Sequence, residues 1–246
     1  MGALGQIIAL ADRVDRWAKR SMRSADEYVA LDSATAVIHR VSTPVRPGPH
    51  PLVLTLHGFG SDVHQMATLV PLPQTSPSVH LVAVRGDWTI ADGGYAWFPI
   101  TGSNPADVTA DEADIDEAAD FLADVIAALT ADSTIDANQV WIIGYSQGAA
   151  MALHLLCRHP ELICGVAVGA GTFIGARGTD ADLSPKHCFI AGSSSDPFVL
   201  EAGYDRTEDM LRRAGATVTV ATENVPHVIS TTHAEAIDKW LSDLIE

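Results

Sequence analysis

Residues 144–148 read Gly-Tyr-Ser-Gln-Gly, which places a serine between two glycines at G-x-S-x-G spacing. The run before it, Val-Trp-Ile-Ile at 140–143, is typical of a strand covered on both faces, and Ala-Ala-Met-Ala-Leu at 149–153 favours a helix. A tight turn between a strand and a helix needs small neighbours and lifts its central hydroxyl above the edge of the sheet. We interpret Ser146 as a nucleophile; the alternative is a glycine-rich turn with an inert serine.

A serine hydroxyl is a poor nucleophile until a base accepts its proton. After such a turn, an acid and then a histidine should follow in chain order, each in a loop behind a later strand. Asp196 is the first carboxylate after a strand-like run and a small-residue turn, and His227 lies between the last strand-like run and the last helical one. We predict that Asp196 is the orienting acid and His227 the base. The alternative for Asp196 is a helix N-cap, a position that aspartate favours.

Attack by Ser146 on a carbonyl would create a negatively charged oxygen, which backbone N–H groups must stabilise. One donor is expected to be the N–H that follows the nucleophile, that of Gln147. The other should come from a loop after an early strand, and residues 54–60, Leu-Thr-Leu-His-Gly-Phe-Gly, fit that place. We predict Phe59 N–H as the second donor, with His57 shaping the loop and not acting as a base.

Hydrophobic periodicity predicts strands that alternate with helices. The strands are expected at 36–41, 52–56, 79–84, 140–143, 165–169, 188–191 and 216–222, and the helices at 111–130, 147–158, 200–214 and 231–245. This alternation favours an α/β fold with a mostly parallel central sheet and helices on both faces. We predict one catalytic domain over residues 31–246.

Residues 1–30 are predicted to form an N-terminal extension with an amphipathic helix at 3–20. This helix would pack on the edge of the domain; the alternatives are a cap over the site or a dimer contact. The acidic residues of the 111–130 helix are expected on a solvated face, because scattered helical acids lack metal-ligand geometry. We predict neither a metal nor a cofactor.

Composition narrows the possible partners and location. The net charge is −16, from 15 basic and 31 acidic residues, so nucleic acid and anionic membrane surfaces are unfavourable partners. No stretch reaches the roughly 20 apolar residues of a spanning helix, and residues 1–11 lack the basic region of a signal peptide. Three cysteines at 157, 164 and 188 are expected to be core residues in a reducing compartment. We predict a cytoplasmic protein.

These motifs, in this order, resemble those of the phospholipase/carboxylesterase family, which includes acyl-protein thioesterases and small bacterial carboxylesterases. The resemblance covers about residues 50–245. It rests on His-Gly-Phe-Gly at 57–60, Tyr-Ala-Trp-Phe at 95–98, the serine turn at 144–148, and the late Asp196 and His227. It implies an α/β-hydrolase fold without a large cap domain. It also implies that the protein hydrolyses carboxylic esters or thioesters.

Aromatic residues in the loops beside these motifs are predicted to line an apolar pocket for the acyl group. They are Trp88, Trp97 and Phe98, with Phe59, Phe198 and Val199 completing the wall. For Trp88 and Trp97 the alternative is core packing beneath a long loop. We predict a preference for short or medium acyl chains over charged ones.

Two other functions use the same residues. One is acyl transfer to peroxide or another acceptor through the same serine, and the sequence does not separate it from hydrolysis. The other is a non-catalytic, ligand-binding relative of such enzymes. The second is disfavoured because such relatives usually lack one of the three catalytic groups, and all three are present here.

Overall fold

A computed structural model describes residues 29–31, 37–41, 48–69, 79–91, 93–102, 108–174 and 179–245. The predicted helix at 3–20 lies outside these residues. Of the predicted extension 1–30, only the last two residues are described, and they belong to the first strand of the sheet.

Ten strands and five α-helices are present in the described residues. The strands are β1 (Val29–Leu31), β2 (Val37–Val41), β3 (His50–Leu56), β4 (His80–Val84), β5 (Trp88–Thr89), β6 (Tyr95–Ala96), β7 (Ile135–Tyr145), β8 (Gly165–Gly169), β9 (His187–Ser193) and β10 (Thr217–Glu223). The helices are α1 (Val63–Leu69), α2 (Glu112–Thr130), α3 (Gln147–Arg158), α4 (Glu201–Arg213) and α5 (Thr231–Ile245), and a short 3₁₀ turn occupies Pro160–Leu162.

Eight strands form one sheet in the order β1-β2-β4-β3-β7-β8-β9-β10, and β5 and β6 form a separate two-stranded ribbon. Six neighbouring strands of this sheet are parallel, namely β4, β3, β7, β8, β9 and β10. Strands β1 and β2 join one edge in antiparallel pairs. β2 and β3 are successive in the chain but do not pair, because β4 lies between them. The mostly parallel sheet agrees with the fold class predicted from the sequence.

Side chains of the central strands alternate between two apolar layers, one on each face of the sheet. In β7, Val140 and Ile142 pack with α2, α3 and α4, whereas Trp141 and Ile143 pack with α1 and α5. Successive residues of a strand point to opposite faces, so a strand that is covered on both faces reads as a continuous apolar run. The runs that predicted these strands are therefore a direct consequence of burial on both faces.

Helix α2 begins at the N-cap Asp111, whose carboxylate accepts the N–H of Ala113. The acidic face of α2 was expected to be solvated. It is not only solvated, because two of its carboxylates contact α3. Arg158 donates to Asp120 through Nε at 2.7 Å and approaches Asp116 through a second nitrogen at 3.0 Å. This guanidinium lowers the pKa of Asp120 to about 2.

The predicted elements are found. The predicted bounds of β8, α3 and α5 are confirmed, and those of the other elements differ by one to five residues at their ends. Helix α1 and the strands β1, β5 and β6 were not predicted, since each is too short to show a hydrophobic period. Among the described residues, no helix is both long and apolar enough to cross a bilayer.

Leu153 of α3 has no exposed surface in the core layer that it shares with α2. We expect Leu153→Ala to lower the free energy of unfolding by about 2–5 kcal/mol, because the lost contacts leave a cavity. The same change at the exposed Leu200 should cost about 0.5 kcal/mol or less. Urea unfolding of both variants checks this, and equal losses would contradict the placement of α3 in the core.

Candidate active site

Ser146 alone forms the turn from β7 to α3. Its backbone has φ 54° and ψ −116°, a left-handed conformation that costs energy for a residue with a side chain. The N–H of Ser146 donates to the carbonyl of Gly169 at 2.9 Å, which ties the turn to the end of β8. The strained turn predicted from the sequence is therefore present, and it leaves the serine side chain at the carboxyl edge of the parallel sheet.

The glycines on either side of the turn are required by close approach. A Cβ atom at Gly148 would lie 2.2 Å from the carbonyl oxygen of Leu56 at the end of β3. A Cβ at Gly144 would lie 2.3 Å from the carbonyl oxygen of Gly148. Both distances are below any real contact, so α3 can start against the sheet only if these side chains are absent.

Three side chains from distant parts of the chain form one line of hydrogen bonds at this edge. The Ser146 hydroxyl and Nε2 of His227 are 2.9 Å apart, and Nδ1 of His227 is 2.7 Å from Oδ2 of Asp196. The Asp196 side chain has no exposed surface, and that of His227 is 20% exposed. With Nδ1–H donating to the carboxylate, Nε2 carries a lone pair that faces the serine hydroxyl.

The Asp196 carboxylate is held by its own loop. Its Oδ1 accepts the N–H groups of Phe198 at 2.7 Å and Val199 at 3.0 Å, which leaves Oδ2 for His227. The alternative role as a helix N-cap does not apply to α4, because the N-cap of that helix is Leu200.

The loop after β3 lies directly over the serine. A Cβ at Gly58 would be 3.3 Å from the Cβ of Ser146, and the N–H of Gly58 donates to Oε1 of Gln65 in α1 at 2.9 Å. The N–H groups of Phe59 and Gln147 donate to no backbone oxygen in the described turns, loops and caps. Gln147 also begins α3, where the helix dipole favours negative charge.

His57 supports this loop as a neutral imidazole. Its Nδ1–H donates to the Gly58 carbonyl at 2.7 Å, and its Nε2 accepts the N–H of Gly86 at 2.9 Å, so the ring has no nitrogen left for a second proton. Burial lowers the pKa of His57. This arrangement fits the prediction that His57 shapes the loop.

The expectation that Trp97 and Phe98 line a pocket needs correction. They are only 2% and 1% exposed and belong to the core layer with α2 and α3. The side chain of Gln147 holds their backbone: its Oε1 accepts the Trp97 N–H at 3.0 Å, and its Nε2 donates to the Phe98 carbonyl at 2.7 Å. The Trp97 indole N–H donates to the His57 carbonyl at 2.8 Å. Core packing, the alternative considered for Trp97, describes both residues.

The other predicted pocket residues lie nearer the surface. Trp88 is 48% exposed and Phe198 is 61% exposed, whereas Val199 is half-buried against the core. The ring of Phe198 meets that of His227 edge-on, with 5.0 Å between centroids. Three further apolar side chains are exposed in the loops that carry the site residues or next to them in the sequence; they are Phe59, Leu200 and Val228. We name these five exposed residues, including Trp88 and Phe198, the apolar rim.

Two supporting groups were missed by the sequence analysis. Gln65 positions Gly58 from a helix that was not predicted, and the Gln147 side chain, as opposed to its N–H, was given no role. A glutamine between the serine and a glycine is a weak signal, because its partners are backbone atoms of residues 50 and 49 positions earlier. Only the folded chain brings them together.

The described architecture matches a known class of protein fold. A mostly parallel sheet covered by helices, with a strand–serine–helix turn at its carboxyl edge and no cap domain evident in the described ranges, is an α/β-hydrolase fold. The family model for Phospholipase/Carboxylesterase matches residues 38–245. The chain therefore belongs to the phospholipase/carboxylesterase family, and its family and relatives indicate a hydrolase with esterase activity.

Two relatives illustrate the range of sequence similarity. The chain is 34% identical to "Putative esterase NocK" of Nocardia uniformis subsp. tsuyamanensis over 131 residues, covering 52% of this chain and 35% of NocK. It thus spans about a third of that relative. It is 25% identical to "Putative hydrolase MhqD" of Bacillus subtilis (strain 168), covering 79% of this chain and 94% of MhqD.

Solved structures agree with the fold. A carboxylesterase of Bacillus cereus is 25% identical, with a TM-score of 0.71, and the match covers 84% of this chain and 94% of that one. A carboxylesterase of Mesorhizobium loti is 21% identical, with a TM-score of 0.74, and the match covers 88% and 99% of the two chains. At this identity the second likeness supports the fold alone.

The lowered pKa of His57 has a consequence for stability. We expect the free energy of unfolding to fall as the pH drops below about 6.5, because unfolded His57 takes up a proton that the folded imidazole does not. His57→Gln, which cannot titrate, should show a smaller decrease between about pH 7.5 and pH 5.5 in urea unfolding. Equal decreases in both proteins would show that His57 contributes nothing to the pH dependence.

Proposed function

We propose that the protein hydrolyses carboxylic esters or thioesters, with Ser146 as nucleophile, His227 as general base and Asp196 as orienting acid. The observation that carries this proposal is the continuous line of hydrogen bonds from Asp196 through His227 to Ser146. Membership of the phospholipase/carboxylesterase family supports it.

In the first half of the proposed cycle, Nε2 of His227 takes the Ser146 proton as Oγ attacks the carbonyl carbon of the substrate. Asp196, which is buried and acts only as an acceptor, holds Nδ1–H and stabilises the imidazolium that forms. The imidazolium then gives its proton to the leaving alkoxide or thiolate as the bond from the carbonyl carbon to that group breaks. The acyl group stays on Ser146 as an ester.

Negative charge develops on the carbonyl oxygen during attack, and we assign the N–H groups of Phe59 and Gln147 to receive it. Both flank Ser146, since Gln147 follows it and Phe59 follows a glycine that packs on it. Fixed backbone donors of this kind need no reorganisation when the charge appears. The N-terminus of α3 adds a favourable dipole.

In the second half, water replaces the leaving group. His227 removes a proton from the water, the resulting oxygen attacks the acyl-serine, and the imidazolium returns a proton to Oγ of Ser146 as the ester bond breaks. The products are a carboxylic acid and the free enzyme. These steps use only the residues named above and water.

The surroundings of the site favour a neutral, apolar substrate. Phe198 lies against the catalytic imidazole, and the other residues of the apolar rim are exposed in the loops that carry the site or beside them in the chain. Arg85 is the cation nearest in sequence to the loop that carries Trp88. It is buried and stacks 4.0 Å over the ring of Tyr95, so it offers little charge to a ligand. The net charge of −16 repels anions further.

Removing the proposed nucleophile should abolish activity while leaving the fold intact. We expect Ser146→Ala to lower kcat for p-nitrophenyl butyrate by at least about 10⁴-fold and Asp196→Asn by a comparable factor. Ser146→Ala should also lose covalent labelling by a fluorophosphonate probe, which mass spectrometry localises in the wild-type protein.

The matched control is Ser194→Ala, which removes an exposed hydroxyl from a loop beside the site. This variant should keep wild-type labelling and turnover. Labelling of Ser146→Ala at the wild-type rate would remove Ser146 from the proposed role.

The apolar rim predicts the acyl preference. We expect p-nitrophenyl butyrate to be hydrolysed faster than the p-nitrophenyl monoester of succinic acid, whose acyl chain has the same length but carries a carboxylate. Phe198→Ala should raise KM for the butyrate by several-fold, to about tenfold, since one aromatic wall is lost. Fastest turnover of the anionic ester would contradict a neutral substrate class.

A further inference from the structure

The loop that carries His227, residues 224–230 between β10 and α5, has little backbone pairing of its own. Among the described loop hydrogen bonds, the one formed within it joins the N–H of Val228 to the carbonyl of Pro226 at 2.7 Å. A loop without a ladder of backbone bonds depends on side chains for its position. The carbonyls of Val225 and His227 both accept such side-chain bonds.

The loop that carries Asp196 supplies two of these bonds. The hydroxyl of Ser195 donates to the Val225 carbonyl at 2.9 Å, and the hydroxyl of Ser193 donates to the same oxygen. These bonds fix the His227 loop relative to the acid. They do not fix it relative to the nucleophile, which lies on β7 and α3.

Tyr145 makes that second connection. It is the residue immediately before Ser146, and its hydroxyl donates to the His227 carbonyl at 2.8 Å. Its ring lies 5.5 Å from that of His227, and a Cβ at Gly58 would lie 2.9 Å from its Cδ1, so the ring is wedged between the two loops. Burial raises the pKa of Tyr145, as does the Asp196 carboxylate to a lesser degree, so the hydroxyl stays a donor.

We propose that Tyr145 is a positioning residue, whose hydroxyl holds the His227 backbone at the distance that lets the imidazole reach the Ser146 hydroxyl. This inference rests on the proposed function. In the part of the chain that the structure describes, the Tyr145 hydroxyl and the Ser146–His227 bond are the side-chain hydrogen bonds that join the serine turn to the 224–230 loop. We call the hydrogen bond from the Tyr145 hydroxyl to the His227 carbonyl the tether. Without the tether, Ser146 and His227 would have to maintain their own geometry throughout the cycle.

The size of the effect follows from the sensitivity of catalysis to position. A displacement of about 1 Å in a reacting group can cost about 100-fold in rate. We expect Tyr145→Phe, which keeps the ring and removes only the hydroxyl, to lower kcat by about 10- to 100-fold. KM should stay within about threefold, because the tyrosine hydroxyl is already bound to the protein and binds no substrate.

The matched control is Tyr95→Phe. The Tyr95 ring stacks under Arg85, and its hydroxyl has no hydrogen bond to the described residues. The control should therefore keep wild-type kcat. Active-site titration with the fluorophosphonate probe normalises each rate to folded, labelled sites, so a partly unfolded variant is not mistaken for a slow one.

A second comparison separates positioning from general structural damage. In a His227→Ala background, adding Tyr145→Phe should leave the residual activity unchanged, because the tether acts only through the imidazole. The proposal is overturned if Tyr145→Phe keeps wild-type kcat per titrated site. It is also overturned if the substitution lowers residual activity equally without His227.

These outcomes are distinct from failure of the proposed function. If wild-type protein is not labelled at Ser146, the proposed function fails and the tether fails with it. If the wild type is labelled and active but Tyr145→Phe behaves like Tyr95→Phe, only the tether is wrong.

Discussion

The site depends on one close contact between backbones. Helix α3 begins so near the end of β3 that a Cβ at Gly148 would lie 2.2 Å from the Leu56 carbonyl oxygen. This contact fixes the strained Ser146 turn against the sheet and brings the loop after β3 over the serine. Any side chain there would push α3 outward and would move the hydroxyl and the Gln147 N–H together. The packing of the core and the geometry of the site therefore depend on the same contact.

A buried polar network carries this constraint away from the serine. The Gln147 side chain binds the backbone of Trp97 and Phe98, the Trp97 indole binds the His57 carbonyl, and the His57 ring binds the Gly86 N–H. Each of these polar groups has a hydrogen-bond partner, and this is the condition under which a buried network makes a structure rigid. Trp97 and Phe98 thus support the site from within the core.

The fold tolerates low sequence identity because most of it requires only apolar residues in the right alternation. Carboxylesterases that are 21% to 25% identical align with TM-scores above 0.7. Cores accept many apolar combinations that preserve volume and pattern. The positions without such freedom are the glycines of the serine turn and the polar groups that face its loops.

The amino-acid sequence alone predicted the alternation of strands and helices, the turn at Ser146, and Asp196 and His227 as partners of the serine from their order in the chain. Those features are local, since they follow from apolar runs, small residues and the succession of loops. Only the folded chain shows that Trp97 and Phe98 are buried, that α2 acids bind Arg158, and that β4 separates β2 from β3. These outcomes depend on which distant segments meet, and a hydrogen bond such as that from Tyr145 to the His227 carbonyl joins residues 82 positions apart. No local pattern encodes such a pairing, because its partner is a backbone atom that every residue possesses.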